Sequence, residues 1–207
     1  MKARKIWILG LLFILLLGSA GAFLRKKTAS HSQAPICHPF ATKVLKEDLL
    51  RLFRGLEIQT CVDIPCGEAS WIYEITPLIQ NYTGVDTEEK RLQKNREKYG
   101  SQTLHFQHLD ISKEPVPKAD LIFCHDALNF LTQNEILASL LLFKKSGAKY
   151  LLVSTHPDQE KNRKGKKGIY HSINWQLPPY QFPKPLLILN DPNEKQKKLA
   201  LWRMEDL

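Results

Sequence analysis

Cysteine is scarce in this 207-residue sequence, and none of the four thiols belongs to a paired C-x-x-C motif. Zinc sites and disulfide frameworks both need characteristic cysteine spacings, which are absent here. We therefore expect no metal centre and no disulfide-stapled scaffold. The thiols lie on or beside apolar runs or in loops, which fits a protein of a reducing compartment. They are Cys37, Cys61, Cys66 and Cys124.

Charge is absent from residues 6–24, a run of 19 residues that would rise about 28 Å as a helix, close to one hydrocarbon thickness. One interpretation, which we favour, is an uncleaved single-pass membrane anchor. The other is a secretory signal peptide, because Ala20-Gly21-Ala22 resembles a cleavage site. Three basic residues on each side leave the orientation open. The sequence thus divides into a membrane or signal segment (1–27), a linker (28–39) and one domain (40–207).

The net charge is +9, and a third basic cluster lies at residues 161–167. Such a cluster is most simply a solvated loop, although it can also attract an anionic lipid or nucleic acid. No internal repeat is visible.

Short apolar runs alternate with amphipathic helical patterns along residues 40–155, which predicts an α/β fold with a parallel sheet covered on both faces. An amphipathic helix at Phe40–Arg54 could lie against an edge of that sheet. Two final apolar runs around an Asp-Pro-Asn turn predict an antiparallel pair. The predicted strands are Thr60–Ile64, Tyr82–Val85, Leu104–His108, Leu121–Cys124, Tyr150–Ser154, Leu186–Leu189 and Leu199–Arg203; the other helices are Ala69–Gln80, Glu88–Tyr99 and Asn134–Lys145.

Acidic residues accompany the first three predicted strands at their carboxyl ends, where open α/β sheets bind ligands. Asp63 precedes a turn at Gly67, Asp86 follows about 20 positions later, and Asp110 follows the third strand with Ile111 beside it. An acid in the second position is placed to accept ribose hydroxyls. Any one of these aspartates could instead be a helix cap.

A dinucleotide-binding G-x-G-x-x-G loop is missing: only Gly67 is present, and Glu68 beside it would repel a pyrophosphate. A ligand with a sulfonium and an amino group is better suited to this loop. The pattern therefore favours S-adenosylmethionine over NAD.

The stretch from Val62 to Asp86 resembles class I S-adenosylmethionine-dependent methyltransferases. More narrowly, it is similar to bacterial small-domain methyltransferases with a D-x-P-C-G-x-x-x-W loop, here Asp63, Pro65, Cys66, Gly67 and Trp71. The resemblance covers about residues 40–204. It implies a Rossmann-like seven-stranded methyltransferase sheet, mostly parallel with an antiparallel C-terminal strand, to which we add the N-terminal transmembrane helix.

The resemblance also implies the cofactor contacts. Asp63 and Gly67 would contact the methionine part, Asp86 the ribose and Asp110 the adenine. Ile111 would pack on the adenine ring, and Pro65 and Cys66 complete the loop beneath the cofactor.

Catalysis of methyl transfer needs mainly positioning and sometimes a general base. His125 and Asp126, after the fourth strand, are our catalytic candidates. The alternative is that Asp126 caps a turn while His125 stacks on the cofactor. His156 is a third candidate, and Trp175 and Tyr180 could form a substrate wall or belong to the core.

Two departures from the family pattern fall where an acceptor would sit. The family has Arg-Asp and then His-Leu after the fourth strand, whereas this chain has His125-Asp126 and Phe130-Leu131. Residues 164–171 are also more basic than usual. The methyl acceptor is therefore not implied.

We expect a monomeric, membrane-tethered methyltransferase that acts on a small-molecule or membrane-proximal acceptor, without nucleic acid as a partner. Its domain should face the cytoplasm, because S-adenosylmethionine is made and kept there; the alternative is export after signal-peptide cleavage. Two other functions stay open: a catalytically inactive Rossmann-like binding module at a membrane surface, and another nucleotide-using enzyme such as a dehydrogenase.

Overall fold

A computed structural model describes residues 39–69, 78–191 and 194–207, with side-chain environments from residue 45 onward. All of these residues belong to the unit that spans residues 33–207. The proposed membrane or signal segment, the linker to residue 38, Cys37, Trp71 and most of the helix predicted at Ala69–Gln80 lie outside the described residues. Within the described part, no helix combines the length and apolar character needed to cross a bilayer.

The sheet contains seven strands in the order β3-β2-β1-β4-β5-β7-β6. Strands β3, β2, β1, β4 and β5 pair in parallel, whereas β7 is antiparallel to both of its neighbours. This confirms the predicted mostly parallel sheet with an antiparallel C-terminal strand. The strands are β1 (Thr60–Ile64), β2 (Asn81–Asp86), β3 (Leu104–His108), β4 (Leu121–Cys124), β5 (Tyr150–Thr155), β6 (Leu187–Asn190) and β7 (Lys198–Arg203).

Two apolar clusters lie on opposite faces of this sheet because successive strand side chains point to opposite sides. In β1, Val62 and Ile64 join one cluster and Cys61 joins the other. Strands β1 and β4 are both buried at nearly every position, as expected for central parallel strands.

Three described helices flank the sheet: α1 (Pro39–Gly55), α2 (Glu89–Tyr99) and α3 (Gln133–Lys145). A capping box between Thr132 and Glu135 starts α3. The expectation that α1 lies against a sheet edge is incomplete. Leu45, Leu49, Leu52 and Phe53 are buried in the same cluster as residues of β4, β5 and β7, so α1 covers a sheet face and also contacts edge strand β6.

Strand order reverses between β1 and β4, since β1 connects outward to β2 while β4 lies on its other side. In open α/β sheets, ligands bind at the carboxyl ends of the strands at such a switch point. The segments after β1, β2, β3 and β4 therefore meet at one edge of the sheet, together with the β6–β7 turn, because β7 begins where parallel β5 ends.

Candidate functional site

The backbone of the loop after β1 is held against β2 and α2 by hydrogen bonds. The Cys66 N–H donates to the Val85 carbonyl at 2.9 Å, and the Gly67 N–H donates to Asp86 Oδ2 at 3.3 Å. The Asn95 amide donates to the Gly67 carbonyl at 2.8 Å. Gly67 has a φ of +54°, a conformation that favours glycine, and a Cβ there would have no described atom within 4 Å. The loop is thus fixed against β2 and α2.

Gly84 in β2 provides the room that this loop needs. A Cβ at this position would lie 2.8 Å from Cys66 Cβ and 2.8 Å from Phe106 Cδ1, closer than carbon atoms can approach. Cys66 is fully buried, and burial raises the pKa of its thiol. Its role is therefore to pack the loop onto β2, while Pro65 beside it is partly exposed.

Asp63 lies within β1 and is completely buried. The Tyr82 hydroxyl donates to its Oδ2 at 2.7 Å, whereas Oδ1 has no hydrogen-bond partner among the described residues. Burial raises the pKa of Asp63 to about 7, although the Tyr82 hydrogen bond acts in the opposite direction. An unpaired buried carboxylate oxygen is costly unless a ligand or water pairs with it.

Asp86, the last residue of β2, is buried and receives three donors. Oδ2 accepts from the Gly67 N–H and from Arg91 at 2.9 Å, and Oδ1 accepts from the Glu88 N–H at 3.0 Å. A carboxylate offers about four acceptor sites, so Oδ1 retains capacity for about one more donor. A single ribose hydroxyl fits without displacing Arg91.

Asp110 follows β3 and is more exposed than the other two acids. Its Oδ1 accepts from the Ser112 N–H and hydroxyl, and Oδ2 accepts from Lys113 at 2.7 Å. The hydrogen bond from Lys113, followed by those from Ser112, lowers the pKa of Asp110 to about 2. Asp110 is therefore an anion that can still accept at Oδ2. Ile111 is buried in one core cluster.

These residues fit S-adenosylmethionine. The buried oxygen of Asp63 that has no partner among the described residues suits an ammonium group, and no described atom would obstruct a ligand close to Gly67. The remaining acceptor capacity of Asp86 and Asp110 suits a ribose hydroxyl and an amino group.

A second buried polar cluster lies at the end of β4, and only two of its residues, His125 and Asp126, are predicted from the sequence. His125 Nε2 lies 2.8 Å from Asp191 Oδ2, and Lys197 donates to Asp126 Oδ2 at 2.6 Å. Lys197 also lies 3.3 Å from Asp191 Oδ2. The β6–β7 turn therefore brings Asp191 and Lys197 to the two predicted catalytic residues, and we call these four residues the cluster at the end of β4.

Asp126 is the centre of this cluster. It has a φ of +64°, which is uncommon for a residue other than glycine, and its backbone N–H donates to Ser154 Oγ at 2.9 Å. Its side chain is nearly inaccessible, yet Oδ1 has no hydrogen-bond partner among the described residues. Burial alone would lower the pKa of Lys197, but the carboxylates of Asp126 and Asp191 outweigh it and raise that pKa.

His156 and Tyr170 border the cluster. His156 Nδ1 accepts the Ile173 N–H, so Nε2 carries the proton and donates to the Tyr170 oxygen at 3.1 Å. Burial lowers the pKa of His156, which keeps this imidazole neutral. Burial, together with the carboxylate of Asp126, raises the pKa of Tyr170. His156 is thus oriented toward Tyr170, and it also lies close enough to Asp126 and Lys197 for their charges to affect its pKa.

Trp175 and Tyr180 belong mainly to the core. Trp175 is fully buried and donates to the Ser154 carbonyl at 2.7 Å, and Tyr180 packs against it at 4.8 Å between ring centres. Cys61, Cys66 and Cys124 are free and buried. Across the described ranges, no three His, Cys, Asp or Glu side chains are grouped so that they could hold a metal ion.

Comparison with known proteins agrees with this geometry. Residues 61–145 match a family model described as a methyltransferase domain. No curated protein matches the chain.

Solved structures share the fold at low sequence identity. The N-methyltransferase NodS from Bradyrhizobium japonicum has 14% identity and a TM-score of 0.61, with 80% of this chain and 97% of that chain covered. The magnesium protoporphyrin IX methyltransferase ChlM from Synechocystis with bound S-adenosylmethionine has 12% identity and a TM-score of 0.59, with 79% and 80% covered. An S-adenosylmethionine-dependent methyltransferase from Clostridium acetobutylicum has 13% identity and a TM-score of 0.58, with 77% and 90% covered.

Residues 61–145 thus match a methyltransferase domain, and the seven-stranded sheet with its reversed last strand has the fold of solved S-adenosylmethionine-dependent methyltransferases.

Proposed function

We propose that this protein transfers the methyl group of S-adenosylmethionine to an N–H or O–H group of a small or membrane-proximal acceptor. The observation that carries the proposal is a pair of buried carboxylate oxygens without a hydrogen-bond partner among the described residues: Asp63 Oδ1 in β1 and Asp126 Oδ1 just after the neighbouring strand β4. The first suits the cationic cofactor, and the second suits the hydrogen that an acceptor must lose. We also propose the narrower D-x-P-C-G group as its nearest relatives.

The bound cofactor would supply an electrophilic methyl group on a sulfonium. Asp63 and Asp86 would hold its amino group and ribose, and the loop at Gly67 would bring backbone close to it. Catalysis would then depend mostly on orientation, which a fixed loop on a central strand supplies.

Asp126 would accept the hydrogen of the acceptor at Oδ1 while Lys197 holds its other oxygen. His125 has its Nε2 near two carboxylates, which only accept hydrogen bonds when ionised, so this nitrogen carries the proton. His125 would thus be held in place beside Asp126, and Asp126 would act as the general base.

Calorimetry tests the cofactor half of the proposal. The full chain should bind S-adenosylmethionine at micromolar concentration and should not bind NAD, and Asp86→Ala should abolish the binding. An acceptor screen with methyl-labelled cofactor tests the other half. A chain that binds neither nucleotide would instead be an inactive binding module.

We also propose that residues 6–24 tether the protein to a membrane as a monomer, with the domain in the cytoplasm. Support comes from the uncharged run and from the cytosolic location of the cofactor. Alkaline extraction of membranes should retain the full chain and release a chain that starts at residue 28. Recovery of a shortened, exported form would show the signal-peptide alternative to be correct.

A further inference from the structure

The basic cluster noted in the sequence lies in an ordered loop. We call residues 161–168 the basic loop. Asn162, at its start, donates to the carbonyls of Asn174 at 2.8 Å and Pro178 at 3.0 Å, and accepts the Asn174 N–H at 2.9 Å. Because the side chain of Asn162 is fixed by several partners, its neighbours have defined positions. A solvated basic tail would have no such anchor.

Close packing continues at the other end of this loop. A Cβ at Gly165 would lie 2.5 Å from the Leu131 carbonyl oxygen, and the Gly168 N–H donates to the Phe130 carbonyl at 2.7 Å. Lys167 is paired with Glu135 at 2.6 Å. The loop is thus attached to the segment that leads from β4 into α3.

A cleft of about 610 Å³ lies beside the basic loop. Lys161, Arg163 and Lys164 line it, all exposed, and its opposite wall includes Pro179 and Tyr180. Among the described residues that line the cleft, none is acidic. Three cations around one concave surface without a counter-charge create a positive potential that favours an oxyanion.

The same segment continues from this cleft to the cluster at the end of β4. Tyr170, two residues after the basic loop, contacts Phe130 and His156, and the carboxylate of Asp126 contributes to the raised pKa of its hydroxyl. A short stretch of chain thus connects the cleft with the candidate site of the acceptor.

We propose that this cleft binds a phosphate or similar oxyanion carried by the methyl acceptor. The link between this oxyanion and the methyl acceptor rests on the proposed function, whereas the oxyanion site itself does not. The oxyanion could belong to a soluble phosphorylated molecule or to the headgroup of an anionic lipid. Arg163 offers a bidentate fork for it, and Lys161 and Lys164 supply point charges.

The test uses the full chain and a triple variant, Lys161→Gln, Arg163→Gln and Lys164→Gln. The matched control carries the same charge change at three other exposed cations, Lys145→Gln, Lys184→Gln and Arg203→Gln. Inorganic phosphate, titrated by calorimetry, is the probe for a soluble ligand. Vesicles of phosphatidylcholine, with and without phosphatidylglycerol, are the probe for a lipid headgroup. Residues 6–24 are the same in every variant, so membrane binding through them does not contribute to the difference between variants.

The triple variant should bind phosphate, or respond to phosphatidylglycerol, at least about tenfold more weakly than the control, and added salt should reduce the difference. A response to phosphate alone identifies a soluble ligand, and a response to phosphatidylglycerol alone identifies a lipid. Equal losses in the triple variant and the control would overturn the proposal. So would capture of a labelled RNA oligonucleotide without a response to either probe.

Cofactor binding separates this inference from the proposed function. The triple variant should bind S-adenosylmethionine as the unmodified chain does, because its three cations lie outside the cofactor loop. Asp86→Ala should lose the cofactor and keep phosphate. Loss of both ligands in either variant would indicate unfolding, which circular dichroism detects; in that case single substitutions at Arg163 replace the triple variant.

Discussion

Lys197 donates a 2.6 Å hydrogen bond to Asp126 across 71 positions of sequence, and both side chains are buried. This pair joins the β6–β7 turn to the end of β4. It explains how a hairpin at the C-terminus takes part in a site whose cofactor loop lies after β1.

The pair should stabilise the fold mainly because each charge would be costly alone. Lys197→Met leaves Asp126 and Asp191 without their shared ammonium, and we expect a loss of about 3–5 kcal/mol in the free energy of unfolding. Urea unfolding followed by circular dichroism measures it. Lys195→Met, at an exposed neighbour, is the control and should change stability by less than about 0.5 kcal/mol. If the free energy of unfolding changed by a similarly small amount in both variants, Lys197 and Asp126 would not form a stabilising buried ion pair.

Replacement of Asp126 should separate catalysis from cofactor binding. Asp126→Asn keeps the shape and a partner for Lys197 but removes the base, so kcat should fall by about 100-fold or more. The dissociation constant of S-adenosylmethionine should stay within about twofold. Methyl transfer to the acceptor found by screening measures the first quantity and calorimetry the second. Asp158→Asn, at an exposed position, should alter neither; full activity in Asp126→Asn would exclude Asp126 as a base.

Asp63 should make the apo protein less stable as pH rises. Its pKa is raised to about 7 in the folded state, against about 4 when unfolded, so the folded state holds the proton more tightly. The resulting contribution to the free energy of unfolding is complete below about pH 4 and is lost as pH rises to about 7. A pKa difference of about three units corresponds to about 4 kcal/mol.

The variant Asp63→Asn should lack this dependence. Urea unfolding between pH 4 and 8 should show the variant gaining stability relative to the unmodified chain as pH rises. If the two pH profiles run parallel, Asp63 does not titrate in this range. Saturating S-adenosylmethionine should weaken the dependence in the unmodified chain, since a cation beside Asp63 favours its charged form.

Gly84 should be intolerant of any side chain. Gly84→Ala places a methyl group 2.8 Å from Cys66 Cβ, which must move together with the loop that holds Gly67. We expect a loss of about 1–3 kcal/mol in stability and a weaker affinity for S-adenosylmethionine. Gly55→Ala is the matched control, because a Cβ there meets no atom within 4 Å. Unchanged cofactor affinity in Gly84→Ala would show that the loop does not depend on this contact.

Much of the fold could be predicted because it is encoded locally. The bounds of β1, β3 and β4 agree with the prediction at both ends: β1 and β4 are short, mostly apolar runs, and β3 alternates apolar and polar residues. Helices α1, α2 and α3 begin within one residue of their predicted starts. The same pattern predicts Asp86 at the carboxyl end of β2, where it is the last strand residue, and Asp110 shortly after β3.

The cluster at the end of β4 could be predicted only in part. The sequence indicates a turn at Asp191, and nothing in it distinguishes Lys197 from the other lysines between residues 194 and 198. One indication was available: a last strand antiparallel to β5 must begin at the carboxyl edge, so the turn before it lies near the site. Choosing the right two residues within that turn required their buried contacts.

Local sequence patterns are enough to predict the alternation of strands and helices, the resemblance to a methyltransferase and the loop at Gly67, because these depend on short-range periodicity and on residues adjacent in the chain. Folding is needed to bring Asp126, His125, Asp191 and Lys197 into one buried cluster and to let Asn162 fix the basic loop. Those contacts join residues far apart in sequence, and burial, which gives a charge pair its energetic weight, is a property of the folded chain alone.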